Sequence, residues 1–203
     1  GSGKTVVAEF AIERALALAG KAFYTTPLKA LSNQKFGDLA ARHGAERVGL
    51  LTGDNAINPE APVVVMTTEV LRNMLYERSR TLEGLVAVVM DEVHYLQDPY
   101  RGAVWEEVLI HLPLSVSVVC LSATISNAEE FGEWIGRTRG QTVEVLRHRE
   151  RPVPLDHYLF LPGRGLRRIE KSMALPRLPA AARNGRFGRP SPRPGAVPTP
   201  IVA

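Results

Sequence analysis

The sequence predicts an α/β domain, a mainly parallel sheet flanked by helices, followed by a tail without regular structure. Two observations predict the domain. Short, β-branched, near-continuous apolar runs recur along the first ~160 residues, and runs of that kind suit strands covered on both faces. Helical patterns lie between them, and a repeated strand–helix order points to parallel strands joined by crossovers. A third observation predicts the tail: after about residue 163 this periodicity stops.

The elements follow in order. A helical pattern covers Val6–Leu18 and stops at Gly20; Phe23–Thr26 is a short strand ended by Pro27. Leu28–Ala41 is helical, with Gly44 at the expected stop. Val63–Met66 is a strand, Val70–Arg78 a helix, and Leu85–Met90 the most apolar strand. Val104–Leu112 is helical and Val116–Leu121 is a strand, expected to lie centrally with Cys120 as an inert core thiol. A last helix starts at Ser126, where Ser126 and Glu129 form a capping box. Thr142–Leu146 alternates and reads as a further strand.

The composition excludes several classes. Hydrophobic residues make up 45% and charged residues 23%, which is ordinary globular usage. The Leu85–Met90 run is far too short to span a bilayer, which takes ~20 apolar residues, so no membrane partner is expected. One cysteine excludes an internal disulfide framework. His43, His111, His148 and His157 show no metal-ligand spacing. The net charge of +4 is uneven: residues 1–163 hold 16 Lys+Arg against 20 Asp+Glu, and residues 164–203 hold 9 against 1. The basic character therefore belongs to the tail, which also holds 7 of the 15 prolines. The boundary is set at residues 1–161 for the domain and 162–203 for a Pro/Arg-rich, disordered tail.

Two motifs carry chemistry. Gly1-Ser2-Gly3-Lys4-Thr5 opens the first helix and matches the end of a phosphate-binding loop. Glycines let backbone N–H groups close on phosphate oxygens at a helix N-terminus. Lys4 would reach the β- and γ-phosphates, and the Thr5 hydroxyl would hold Mg²⁺. Asp91-Glu92-Val93-His94 follows the apolar strand, so Asp91 sits at a strand's carboxyl end, where α/β folds place ligands. Asp91 would hold the metal and Glu92 would deprotonate the attacking water. Ser122-Ala123-Thr124 ends a neighbouring strand and supplies two hydroxyls toward the acidic motif. Taken singly, Thr52-Gly53-Asp54 is a turn and Thr67-Thr68-Glu69 a helix cap.

In order, Gly3-Lys4-Thr5, Thr26–Leu31, Thr52-Gly53-Asp54, Thr67-Thr68-Glu69, Asp91–His94 and Ser122-Ala123-Thr124 resemble motifs I, Ia, Ib, Ic, II and III of superfamily 2 helicases. The DEVH spelling, Pro27–Lys35 and Arg151–Leu155 resemble the superkiller-like DExH-box branch, especially its bacterial members. The resemblance covers residues 1 to about 161 and implies a RecA-like P-loop NTPase fold. It implies that ATP and Mg²⁺ bind at Gly1, Ser2, Gly3, Lys4, Thr5 and Asp91, with Glu92 as catalytic base. His94, Ser122 and Thr124 would couple hydrolysis to nucleic acid and to a second RecA-like domain. Pro27, Lys29, Gly53, Asp54, Thr67, Thr68 and Glu69 would line one strand of nucleic acid, RNA being favoured by the branch alone. The implied protein is a cytoplasmic, ATP-dependent RNA helicase of which this chain is the first motor domain. A DNA-translocating relative, and a binding fragment without turnover, remain as alternatives. The family's first strand, its adenine-reading segment and its second motor domain have no counterpart here, so half a site is expected.

Overall fold

The structure is a computed structural model that describes residues 3–98, 101–123, 127–147, 156–161 and 165–168. The chain divides into two compact units, one running through residues 3–148 and one that carries a hairpin after residue 149.

The first unit is built on a six-stranded sheet ordered β3-β2-β4-β1-β5-β6. Its strands are β1 (Lys21–Thr26), β2 (Val48–Thr52), β3 (Asn55–Ile57), β4 (Val63–Thr67), β5 (Leu85–Met90) and β6 (Ser117–Cys120). All pairings are parallel except β2 with β3. The helices are α1 (Lys4–Ala17), α2 (Lys29–His43), α3 (Thr68–Tyr76), α4 (Gly102–His111) and α5 (Ala128–Arg139).

Side-chain alternation explains the apolar runs. Phe23, Val64, Met66, Val88 and Met90 face one core, shared with Leu71 of α3, Trp105 and Val108 of α4, and Phe131 of α5. Their neighbours Ala22, Tyr24, Val63, Val65 and Val89 face the other, shared with Ile12 of α1 and Leu39 of α2. Each fully buried Val, Met or Phe contributes roughly 1.5–3 kcal/mol of transfer free energy, so neither face of β1, β4 or β5 tolerates a polar run. Trp105 is fully buried, and Trp134 packs against the first core, as their helical spacing predicts.

Three differences from the sequence reading have physical causes. The β2–β3 hairpin was read only as a turn at Thr52-Gly53-Asp54. Gly49 hides the strand, and a Cβ there would lie 2.1 Å from the Asn58 carbonyl oxygen, so the close approach requires glycine. Residues 142–146 form no strand; Val143 and Val145 satisfy their alternation by packing on the core beside α5. Among the described residues the strand with Cys120 lies at the sheet edge and not at its centre. Cys120 is half-buried there, and desolvation pushes its thiol up to about 12. The capping box at Ser126 lies outside the described residues.

Arg139 fixes the start of β6. It is buried and donates to the carbonyl oxygens of Leu109 (3.3 Å), Leu112 (3.1 Å), Pro113 (3.1 Å) and Val116 (2.9 Å). Desolvation lowers its pKa.

The second unit contains the antiparallel pair β7 (Tyr158–Leu161) and β8 (Gly165–Arg168). Strand β8 corrects the expectation that regular structure ends at residue 161. Its cross-strand partners supply a ladder that composition cannot reveal. Residues 169–203, the rest of the expected tail, lie outside the described residues.

Because β1, β2, β4, β5 and β6 run parallel, their carboxyl ends share one edge of the sheet. Thr26, Thr52, Thr67, Asp91 and Leu121 sit at or just past those ends.

Candidate functional site

One cleft on this edge is lined by Lys4, Thr5, Tyr24, Leu31, Gln34, Lys35, Asp91, Glu92 and Leu121, with a volume of about 180 Å³. The start of α1, the end of β1, the middle of α2 and the ends of β5 and β6 supply its walls. Gly3 precedes α1 in the left-handed region at φ +78, a conformation glycine adopts at no steric cost. The first N–H groups of α1 have no intrahelical acceptor, which favours an anion there. Lys4 opens the helix, and its Nζ donates to the Ser122 carbonyl at 2.6 Å. Positions 4 and 91 therefore share one cleft. Gly1 and Ser2 lie outside the described residues.

The acidic motif is held from several sides. The Asp91 N–H donates to the Thr25 carbonyl (2.9 Å), continuing the β1–β5 pairing. Tyr24 donates its phenol to Asp91 Oδ2 (2.6 Å), and the Glu92 N–H donates to Asp91 Oδ1 (2.9 Å). Burial first, then the hydrogen bond to Asp91 and the nearby carboxylates, raises the Tyr24 pKa far above its ordinary value, so the phenol stays a donor. Glu92 adopts φ 53, ψ 45, a left-handed conformation that costs a non-glycine residue of order 1–3 kcal/mol. The Val93 N–H donates to the Leu121 carbonyl (2.9 Å), tying the following turn to β6.

The coupling residues divide. His94 Nδ1 lies 3.1 Å from Glu92 Oε2, close enough for a charge contact but without hydrogen-bond alignment. Ser122 is 3% exposed; its carbonyl holds Lys4, while its Oγ has no partner among the described residues. Thr124 lies outside the described residues.

The residues expected to face nucleic acid gather at the ends of β1, β2 and β4. Lys29 pairs with Asp54, and the Thr52 hydroxyl donates to Asp54 at 3.1 Å. The Lys29 hydrogen bond, then Thr52, holds the Asp54 carboxyl below the ordinary carboxylate range. Gly53, Asp54 and Lys29 are exposed, and Thr67 and Glu69 half-buried. Pro27 and Thr68 are buried. Thr68 donates to the Thr26 carbonyl (3.3 Å), because the αN-terminal turn of α3 packs its hydroxyl inward against β1.

Two residues of this edge were missed. Tyr24 reaches Asp91 only through the β1–β5 register, which pairs it with Val89. Arg101 reaches the Pro27 carbonyl (3.5 Å) and lies 4.0 Å from Glu69, through a turn remote in sequence. Neither carries a local signal.

Comparison with known proteins bears on the same residues. Residues 1–131 match the family model described as DEAD/DEAH box helicase. The chain is 62% identical over 161 residues to a "Probable helicase HelY" of Mycobacterium leprae, covering 79% of this chain and 17% of that protein. It is 54% identical over 159 residues to the human "Superkiller complex protein 2", covering 78% of this chain and 13% of that protein. Similarity to "DExH-box ATP-dependent RNA helicase DExH15 chloroplastic" of Arabidopsis thaliana is 46% over 200 residues, covering 92% of this chain and 17% of that protein, so it runs past residue 161. The chain thus spans about a sixth or less of the length of these relatives.

Proposed function

The chain belongs to the DEAD/DEAH box helicase family, and from that premise we propose that it is the ATP-binding first motor domain of an ATP-dependent RNA helicase of the superkiller-like branch. One observation carries this reading. An ammonium, a hydroxyl and two carboxylates from segments far apart in the chain, Lys4, Thr5, Asp91 and Glu92, line a single cleft.

The donor set fits the implied metal. Mg²⁺ is bound by one or two carboxylates plus substrate phosphates and several waters rather than by an all-protein cage. Asp91 keeps a lone pair on each oxygen beside its two hydrogen bonds, and Thr5 brings its hydroxyl to the same cleft. Among the described residues no group of three or more His, Cys, Asp or Glu forms a separate cage. Mg²⁺ bound by Asp91 and Thr5 would neutralise charge on the β- and γ-phosphates.

The protein's own groups do the rest. Lys4 exchanges the Ser122 carbonyl for phosphate oxygens. Glu92 takes a proton from water as its oxygen bonds the γ-phosphorus and the bond to ADP breaks. A positioned general base of this kind contributes typically 10²–10⁴-fold. His94 and Ser122, beside Glu92 and Lys4, report the nucleotide's state to a second RecA-like domain and to nucleic acid. Lys29, Gly53, Asp54, Thr67 and Glu69 face the strand, with Pro27 and Thr68 holding the loops. Contacts of this kind position a backbone without reading bases. The unit that carries the six-stranded sheet forms the motor core, and the hairpin after residue 149 belongs to the second unit. No helix among the described residues is long and apolar enough to cross a membrane.

The test is ATP hydrolysis by the whole protein that carries this chain, with single-stranded RNA and DNA as competing activators. Stimulation by RNA is expected; a rate indifferent to any nucleic acid overturns the helicase reading.

A further inference from the structure

Tyr24 is the hydroxyl-bearing member of an otherwise apolar cluster formed by Ala8, Ile12, Leu39, Val65 and Val89 with their neighbours. It is 2% exposed. Packing alone does not require a phenol here, since phenylalanine fills nearly the same volume. A buried hydroxyl costs free energy unless it is bonded. Its partner is Asp91 Oδ2 at 2.6 Å, the short range of an O–H donating to a carboxylate.

The other Asp91 contacts complete a frame. The Glu92 N–H occupies Oδ1, and the Thr25 carbonyl holds the Asp91 N–H. With one donor on each oxygen and the backbone pinned, the carboxylate is held in one orientation beside the cleft that it lines. The Tyr24 ring is itself held from α2, where Lys35 Nζ lies 5.8 Å from its centroid. We propose that Tyr24 is a positioning residue for the Asp91 carboxylate, setting the orientation in which Asp91 accepts a divalent cation. This rests on the reading of Asp91 as the acid that holds the metal. Tyr24 acts through Asp91, the partner of its hydroxyl.

The test uses Mn²⁺ as probe on the full chain with saturating non-hydrolysable ATP analogue, read by electron paramagnetic resonance of the free ion. Tyr24→Phe should weaken Mn²⁺ binding about 10- to 100-fold, the usual effect of removing a group that orients a metal ligand. Affinity for the analogue without metal should stay within about twofold, and the thermal midpoint within about 4 °C. A general packing defect would move all three together and overturns the inference. So does Mn²⁺ affinity within twofold of the parent while Asp91→Asn loses the ion, and that result leaves the metal reading standing. Mn²⁺ binding that survives Asp91→Asn sinks the metal reading, and this inference with it. A measurement independent of the variant's folding places 3-fluorotyrosine in place of Tyr24. Its ¹⁹F resonance should move when Mg²⁺ joins the bound analogue, and a resonance that stays still overturns the inference.

Discussion

The two ends of this sheet edge are built to opposite rules. At β5 and β6 the polar groups are incompletely satisfied: Glu92 Oε2, His94 Nδ1 and Ser122 Oγ are buried without a hydrogen bond among the described residues, and Glu92 is left-handed. At β1, β2 and β4 the polar groups have paired with one another. Thr26 bonds the Leu28 carbonyl (3.0 Å) and Ser32 Oγ (2.8 Å), Thr68 bonds Thr26, and Lys29 and Thr52 bond Asp54. The first end stores unmet hydrogen-bonding capacity where charge must develop, as sites of chemistry do. The second is a finished scaffold whose polar groups hold one another.

That contrast breaks most visibly at Glu92. Glu92→Gln should lower ATP hydrolysis by 10²–10⁴-fold while nucleotide binding persists, measured by turnover and by equilibrium titration. Turnover that survives removes Glu92 as base and leaves its strained backbone without a chemical role.

At the scaffold end the same kind of change should strike stability. Thr26 is fully buried, and Thr26→Val leaves Ser32 Oγ only its long 3.5 Å bond to the Leu28 carbonyl. The expected cost is about 1–3 kcal/mol, a thermal midpoint lower by several degrees. An unchanged midpoint would mean that this network is ornamental.

The smallest effect belongs to the surface pair. Asp54→Asn frees Lys29 and should tighten binding of single-stranded RNA two- to fivefold at low salt, the gain fading as salt rises. Because the Asp54 pKa is depressed, the pair persists at neutral pH and is lost only as acid takes the medium through that lowered value. Parent affinity should therefore rise modestly in acid, and the Asn variant should lack that rise. Equal or weaker binding by the variant would show that Lys29 is not held back by Asp54.

The legible parts were those with a local cause. The strands β1, β4, β5 and β6 announce themselves because residues alternating onto two cores leave few polar positions. Asp91 and Glu92 are placed by the strand before them, and Lys4 by the glycines before a helix. What stayed hidden depends on register and remote partners. Strand β2 is masked by Gly49, whose role is set by a carbonyl nine residues on. Val143 and Val145 imitate a strand because packing against a helix can use the same alternation. The burial of Thr68 follows from how α3 seats against β1. The edge position of β6 is decided by sheet order, which no local pattern encodes.

The last two carbonyls of β1 point to opposite neighbours. That of Thr25 accepts from the Asp91 backbone on one side, and that of Thr26 accepts from the Thr68 hydroxyl on the other. Consecutive Cα atoms lie only 3.8 Å apart, so the cleft around Asp91 and the turn that opens α3 are tied to neighbouring residues of one strand. The two carbonyls belong to successive peptide planes that meet at the Thr26 Cα, so a rotation there is felt on both sides of β1.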